Sequence, residues 1–186
     1  MELITLITYF LVLLLLFALI ALAIMYQWSL IGGRAPFISM PNKTLDEIVA
    51  ALKLQPDSVL YDLGCGDGRI LIAAQKRNPH TRSIGVDKNS LPAFLARHAV
   101  RKQGKAGEIK IRHENFFKTD LSEATHIYCY LFPKVMDDLL PKFERELKPG
   151  TRLVSCAFQF HTKEPVEIIY FKAKNRLVEK MFVYEF

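Results

Sequence analysis

Three glycines spaced two residues apart suggest the clearest chemistry in this sequence. Gly64, Gly66 and Gly68 follow closely on Asp62, which ends the short apolar run 58–62. A strand, a glycine-rich turn and a helix begin the nucleotide-binding half of many parallel α/β folds, because glycine lets the backbone approach a ligand closely. The loop therefore predicts a site for a nucleotide-like cofactor.

The spacing of the glycines discriminates between cofactors. A dinucleotide fingerprint, G-x-G-x-x-G, needs its third glycine where Arg69 stands. S-Adenosylmethionine (AdoMet) has no pyrophosphate to place at a helix N-terminus, but it has a methionine ammonium that the carboxylate of Asp62 can meet. The loop favours AdoMet, and a dinucleotide-dependent oxidoreductase fails on this spacing.

Two later strand ends supply further polar groups for this cofactor. Asp87 closes the predicted strand 83–87, and its carboxylate can accept hydrogen bonds from both ribose hydroxyls. Asn115 follows the predicted strand 108–113, where its amide can bind the adenine amino group and Phe116 can lie against the ring. Singly, each residue also has a plain structural explanation, such as a helix cap. The whole predicted cofactor site is Asp62, Gly64, Cys65, Gly66, Asp67, Gly68, Asp87, Lys88, Asn115 and Phe116.

Strands and helices alternate along the chain, which predicts an α/β fold with a mostly parallel twisted sheet. The first helix is expected from Thr44, with acids in its first turn, to a stop at Pro56. The last two strands are expected to form an antiparallel hairpin that turns at Lys174-Asn175. The remaining predicted helices are 69–77, 91–103 and 135–147, and the remaining strands are 126–131, 151–158, 166–173 and 177–186.

The N-terminal segment is long enough to span a membrane. No charged residue lies between Leu3 and Gly33, and about 20 apolar residues cross a hydrocarbon core. A secretory signal peptide has a basic start and a shorter apolar core. Arg34 and Lys43 follow the segment, so the positive-inside rule places the C-terminal side in the cytoplasm. We interpret the chain as a single-pass anchor (1–28), a linker (29–42) and one domain (43–186).

Charge and cysteine content narrow the possible partners. All 25 Lys and Arg residues and 18 of the 19 acidic residues lie beyond residue 33. That part of the chain therefore has a net charge of 25 − 18 = +7. A positive net charge suits the anionic surface of a membrane. The basic helix 91–103 is also compatible with RNA as a partner, although a solvent-exposed basic face explains its composition as well. The three cysteines and the histidines have no metal-ligand or disulfide spacing, so no metal is expected.

Over residues 42–186 the chain resembles the seven-β-strand AdoMet-dependent methyltransferases. Within them it is similar to the membrane-anchored protein-lysine methyltransferases of the adenine-nucleotide-translocase and ATP-synthase c-subunit type, with their bacterial relatives. The matching stretches are 35–38, 62–70, 130–133 and 147–155. The resemblance implies a Rossmann-like methyltransferase fold, AdoMet as cofactor and N-methylation of a lysine in a membrane-associated protein.

The resemblance also implies which residues lie beside the transferred methyl group: Phe37, Tyr130, Phe132 and Pro133. The sequence departs from the family in three places. Asn115 stands where an Asp is common, Ser39-Met40 replaces a Pro-Thr-like pair, and residues 159–165 are too few for the usual crossover helix.

Two other functions remain open on the sequence alone. One is a membrane-tethered AdoMet-binding protein without transfer activity, and the other is a methyltransferase for RNA or a small molecule. The stretch 131–134 lacks the oxygen acceptor that nucleic-acid amino-methyltransferases place after their fourth strand. Nucleic acid is therefore the less favoured acceptor.

Overall fold

The computed structural model describes residues 2–31, 42–105, 107–172 and 178–186. The chain divides into two compact units, 1–38 and 39–186. Phe37, most of the predicted linker and the predicted turn at Lys174-Asn175 lie outside the described residues.

The first unit contains one helix, α1 (Glu2–Ile31). Its stretch Leu3–Tyr26 has a mean hydropathy of 3.0 and no buried side chain, so it is long and apolar enough to cross a membrane. Residues 29–31 are helical although the sequence placed them in the linker, because the first helix-breaking residue is Gly32.

The second unit contains four helices and seven strands among its described residues. In chain order these are α2 (Asn42–Leu52), β1 (Val59–Leu63), α3 (Arg69–Arg77), β2 (Arg82–Asp87), α4 (Ser90–Lys102), β3 (Ile109–His113), β4 (His126–Cys129), α5 (Pro133–Glu146), β5 (Arg152–Cys156), β6 (Glu167–Tyr170) and β7 (Lys180–Glu185). Every predicted element is present. Because α2 begins at Asn42, directly after Pro41, its acids Asp46 and Glu47 lie in the second turn and not in the first.

The strands form one sheet in the order β3-β2-β1-β4-β5-β7-β6. The first five are parallel to one another, and β7 is antiparallel to both β5 and β6. The predicted parallel sheet with a terminal antiparallel hairpin is confirmed. The chain order reverses between β1 and β4, and ligands bind at the carboxyl ends of the strands at such a switch point.

Helices cover the two faces of the sheet unequally. Against the first face, α2, α3 and α4 pack apolar side chains such as Leu52, Leu71 and Ala96. Against the second face lies α5, with Phe143 fully buried, together with apolar residues from the segment between β3 and β4. Burial of both faces fixes the strand register and therefore aligns the strand ends that form the site.

The connection from β5 to β6, residues 157–166, contains no helix, as its length predicts. Consequently, no helix among the described residues covers the second face at β6. Val166, Ile168 and Tyr170 point from that face with exposed fractions of 60%, 44% and 67%, whereas Ile169 packs against the first core.

Candidate functional site

The loop from β1 to α3 has a backbone that favours glycine. Gly64 and Gly68 have φ of 82° and 76°, in the left-handed region that side chains with a Cβ rarely adopt. A Cβ on Gly68 would stand 3.3 Å from the Cβ of Ala96 on α4. The N–H groups of Gly64 and Cys65 both donate to the carbonyl of Val86, at 2.8 and 3.1 Å, which ties the loop to the end of β2.

Asp62 is a buried carboxyl group beside this loop. It is 2% exposed, and within the described residues no hydrogen bond or ion pair reaches its carboxylate. Burial raises its pKa well above the usual value, and the nearby carboxylates of Asp87 and Asp67 raise it further. A buried carboxylate without a partner is costly, so the site is suited to a cationic ligand group.

Asp87 is held in one orientation by backbone donors. Its Oδ2 accepts a hydrogen bond from the N–H of Gly66 at 3.2 Å, and its Oδ1 accepts one from the N–H of Asn89 at 2.8 Å. Each carboxylate oxygen keeps an unused lone pair, so the group can still accept two ligand hydroxyls. The side chain both fastens the glycine loop and presents acceptors to a ribose-like diol.

Other residues of the predicted set have structural partners. The carboxylate of Asp67 pairs with the guanidinium of Arg69, whose Nε lies 2.9 and 3.0 Å from its two oxygens. The thiol of Cys65 is buried, and burial raises its pKa. Lys88 is exposed and its carbonyl oxygen lies 3.1 Å from Nε2 of His113. Asp62 and Asp87 are therefore the acids with acceptor capacity left for a ligand.

Beyond β3 the structure separates the two neighbouring phenylalanines. Phe116, predicted to face adenine, is 7% exposed and packs in the core of the second face. Phe117 is 40% exposed, with its ring centroid 5.1 Å from that of Phe116. Asn115 is exposed, and its Oδ1 accepts the N–H of Phe117 at 3.1 Å. Phe117 is an exposed aromatic ring after β3 that the sequence analysis did not single out, and the place of Phe116 beside adenine stays a prediction.

Three half-buried aromatic rings meet beyond the ends of β4 and β5. The ring of Phe158 stacks on Tyr130 at 6.0 Å and lies 5.8 Å from the ring of Phe132. Pro133 opens α5 immediately after Phe132. We call Tyr130, Phe132 and Phe158 the aromatic trio. The sequence predicted the first two and treated Phe158 as the end of a strand.

A tight turn at Ala157 positions Phe158. Ala157 has φ of 67°, and the N–H of Phe158 donates to the carbonyl of Cys156 at 2.9 Å, as in the rarer, positive-φ γ-turn. The hydroxyl of Ser155 also donates to the carbonyl of Phe158, at 2.6 Å. A non-glycine residue at positive φ costs on the order of 1 kcal/mol, and such strain concentrates at functional sites.

His161 has a partner on α5, and His126 lies away from the cofactor loop. His161 pairs through Nδ1 and through its backbone N–H with the carboxylate of Asp137 on α5. His126 begins β4, at the opposite end from the site, and burial lowers its pKa. In the part of the chain that the structure describes, no group of three His, Cys, Asp or Glu side chains is placed to hold a metal ion.

The arrangement fits AdoMet on its own geometry. Asp62 offers a buried carboxylate that has no partner among the described residues, and Asp87 offers oriented acceptors for a diol. Carboxylates cluster at this edge although the domain as a whole is basic, which favours a cationic ligand.

Comparisons with known proteins show the family of the chain. The family described as the ANTKMT methyltransferase domain matches residues 62–167. A protein-lysine N-methyltransferase of Saccharolobus islandicus is 40% identical over 73% of this chain and 84% of its own length. The human lysine N-methyltransferase of the ATP-synthase c-subunit is 30% identical over 67% of this chain, which spans only 52% of that relative.

A solved structure gives the same result for the fold. An RNA methyltransferase from Salinibacter ruber, in complex with S-adenosyl-L-homocysteine, superposes with a TM-score of 0.73 and 28% identity. The match covers 80% of this chain and 93% of that one.

Proposed function

Since the chain belongs to the ANTKMT methyltransferase family and is an AdoMet-dependent methyltransferase, we propose that it methylates the ε-amino group of a lysine in a membrane-associated protein. The observation that supports a lysine acceptor most directly is the aromatic trio, which stands at the strand ends next to the cofactor loop.

Two acids hold the cofactor in this proposal. Asp62 pairs with the methionine ammonium, and Asp87 accepts hydrogen bonds from the ribose hydroxyls. Asn115 and the exposed ring of Phe117 border the adenine. Bound AdoMet supplies an electrophilic methyl group on a sulfonium.

The aromatic trio favours the reactive form of the acceptor. A lysine amine attacks carbon only when it is neutral, and an apolar environment lowers the pKa of an ammonium. Rings from Tyr130, Phe132 and Phe158 would supply such an environment, and Phe37 remains predicted beside them. The lysine releases its proton to water before its nitrogen forms the N–CH₃ bond and the S–CH₃ bond breaks.

Positioning accounts for most of the expected rate enhancement. Methyl transfer is an in-line displacement, so the protein must hold nitrogen, carbon and sulfur collinear and keep water out. The γ-turn at Ala157 and the start of α5 at Pro133 fix the two backbone segments that carry the trio. No further acid or base is needed at the reacting atoms once the amine is neutral.

We propose that α1 is a single-pass anchor and that the domain 43–186 faces the cytoplasm. The length and hydropathy of Leu3–Tyr26 support the anchor, and Arg34 and Lys43 support the orientation. The human relative is named for the c-subunit of ATP synthase. An anchor in the enzyme would restrict it to lysines close to the bilayer surface.

RNA is the second candidate acceptor, because the Salinibacter ruber neighbour is an RNA methyltransferase. After β4 this chain has Tyr130-Leu131-Phe132-Pro133, with no carboxylate or amide oxygen to accept the hydrogen atoms of a base amine. This difference favours lysine.

The test is methylation by the full-length protein with isotopically labelled AdoMet and membranes from cells that lack it. Labelled methyl groups on lysines of membrane proteins, identified by mass spectrometry, are expected with the wild type. They should disappear with Asp87→Ala and persist with Asp57→Ala, an exposed acid in the turn before β1. Label found in RNA, or lysine label unaffected by Asp87→Ala, would refute the proposal.

A further inference from the structure

The outward face of α4 exposes large apolar side chains that the fold does not use. Leu91, Phe94 and Leu95 are 66%, 63% and 42% exposed. Their spacing of three and four residues places them in one stripe on the first turns of the helix. The opposite face is buried through Ala93, Ala96 and Val100, so α4 already packs against the sheet by another surface.

The same outward face becomes basic toward the C-terminal end of α4. His98, Arg101 and Lys102 are exposed and continue the stripe at helical spacing. The helix contains no acidic residue. Arg97 differs, since its guanidinium lies 3.4 Å from the carbonyl of Ile111 and is half-buried.

We propose that this α4 face, comprising Leu91, Phe94, Leu95, His98, Arg101 and Lys102, docks on an anionic lipid surface. Apolar side chains beside a row of cations are the composition of helices that lie in the headgroup region of a bilayer. The inference rests on the proposed anchor, which would keep the domain close to lipid. It deepens the proposed function, because it adds a second lipid contact that bears on which lysines are reached.

Docking through α4 would bring the cofactor loop to the membrane. The helix begins at Ser90, three residues after Asp87, so the apolar end of the α4 face adjoins the cofactor-binding edge of the sheet. Lysines that emerge just outside the headgroups would then be reached, and lysines far from the bilayer would not.

Fluorescent labelling of the full-length protein in vesicles tests this inference. The cysteines Cys65, Cys129 and Cys156 are buried, so an introduced cysteine can be labelled selectively. An environment-sensitive fluorophore is attached to Phe94→Cys, to Tyr170→Cys on the exposed face of β6, or to Leu13→Cys in α1. Vesicles contain spin-labelled lipid as quencher, with phosphatidylcholine alone or mixed with phosphatidylglycerol.

Quenching at position 94 in the anionic vesicles is expected, together with weak quenching at position 170. Phosphatidylcholine alone, or the double variant Arg101→Gln and Lys102→Gln, should shift the docking equilibrium at least about tenfold toward the undocked state. The label at position 13 reports the anchor separately, and AdoMet binding by the same samples reports the cofactor site.

Several outcomes would overturn the inference. Quenching at position 13 without quenching at 94 would remove docking while leaving the anchor. Equal quenching at 94 and 170 would show association without a preferred face. A blue-shifted emission at 94 that lipid does not quench, or one that appears only with RNA, would assign the face to a second copy, another protein or nucleic acid.

Discussion

Replacing Asp62 with Asn should stabilise the cofactor-free protein and weaken AdoMet binding at the same time. The carboxyl group is 2% exposed and has no partner among the described residues; burial raises its pKa, and the carboxylates of Asp87 and Asp67 raise it further. Without AdoMet the charge of Asp62 destabilises the fold. With AdoMet the same charge is proposed to pair with the methionine ammonium. The substitution removes the charge and nearly preserves the shape.

Both effects should be large enough to measure. Asparagine is also a buried polar side chain at this position, so the substitution removes only the cost of ionising the carboxyl group. A folded-state pKa raised by one unit corresponds to about 1.4 kcal/mol, so Asp62→Asn should gain at least about 1 kcal/mol at neutral pH in the cofactor-free state. For a protein of this size that raises Tm by roughly 2–4 °C per kcal/mol. Removing one member of a buried ion pair costs about 3–5 kcal/mol, which corresponds to a loss of AdoMet affinity greater than about a hundredfold.

The pH dependence has a definite sign. Because the folded-state pKa of Asp62 is raised above the value of 3.8 for an unperturbed aspartic acid, its ionisation destabilises the fold. Below pH 3.8 the carboxyl group is neutral in both the folded and the unfolded wild type, so its charge adds nothing to the stability difference between wild type and variant. The stability advantage of Asn should then grow as pH rises, and become constant above the raised pKa.

Thermal unfolding of the full-length protein in detergent, from acidic to neutral pH, measures the stability difference between Asp62→Asn and wild type. Calorimetric titration of AdoMet measures the affinity. A variant that is less stable than the wild type without cofactor would refute the unfavourable burial of the Asp62 charge. A variant that binds AdoMet as tightly as the wild type would refute the pairing of Asp62 with the ammonium.

Three further substitutions have distinct expected outcomes. Asp87→Asn should weaken AdoMet binding at least tenfold in calorimetric titration. Unlike Asp62→Asn, it should also lower the stability of the cofactor-free protein by about 1 kcal/mol in thermal unfolding, because two backbone N–H groups lose a charged acceptor. Gly85→Ala should destabilise by about 1–3 kcal/mol in denaturant unfolding, since its Cβ would stand 2.6 Å from Cδ1 of Leu71. Ala157→Gly should stabilise by up to about 1 kcal/mol but lower kcat by releasing Phe158, with AdoMet affinity unchanged in titration.

The sequence was sufficient to predict the elements that position the cofactor site. Apolar runs of strand length alternate with helical periodicity, and burial on both faces of a parallel sheet makes this pattern easy to recognise. The three glycines and the two acids at strand ends could also be identified, because each depends on local spacing along the chain. The β5–β6 connection was predicted to lack a helix from its length alone.

The sequence could not assign side chains whose orientation depends on tertiary contacts. Phe116 and Phe117 are adjacent and chemically alike, and only the packing after β3 decides that Phe116 enters the core. Phe158 joins Tyr130 because a γ-turn follows β5, and alanine gives no indication of positive φ. The burial of Asp62 without a partner among the described residues likewise depends on residues that are distant in sequence.

At high protein concentration, β6 offers neighbouring molecules an apolar surface and a strand edge that no other described strand pairs with. The strand lies at the end of the sheet, and Val166, Ile168 and Tyr170 remain exposed because no helix connects it to β5. Unpaired edges of this kind act as templates for intermolecular sheet growth. Purification would therefore benefit from charged replacements at Ile168 and Tyr170, because β4, β5 and β7 separate their strand from β1 and the cofactor loop.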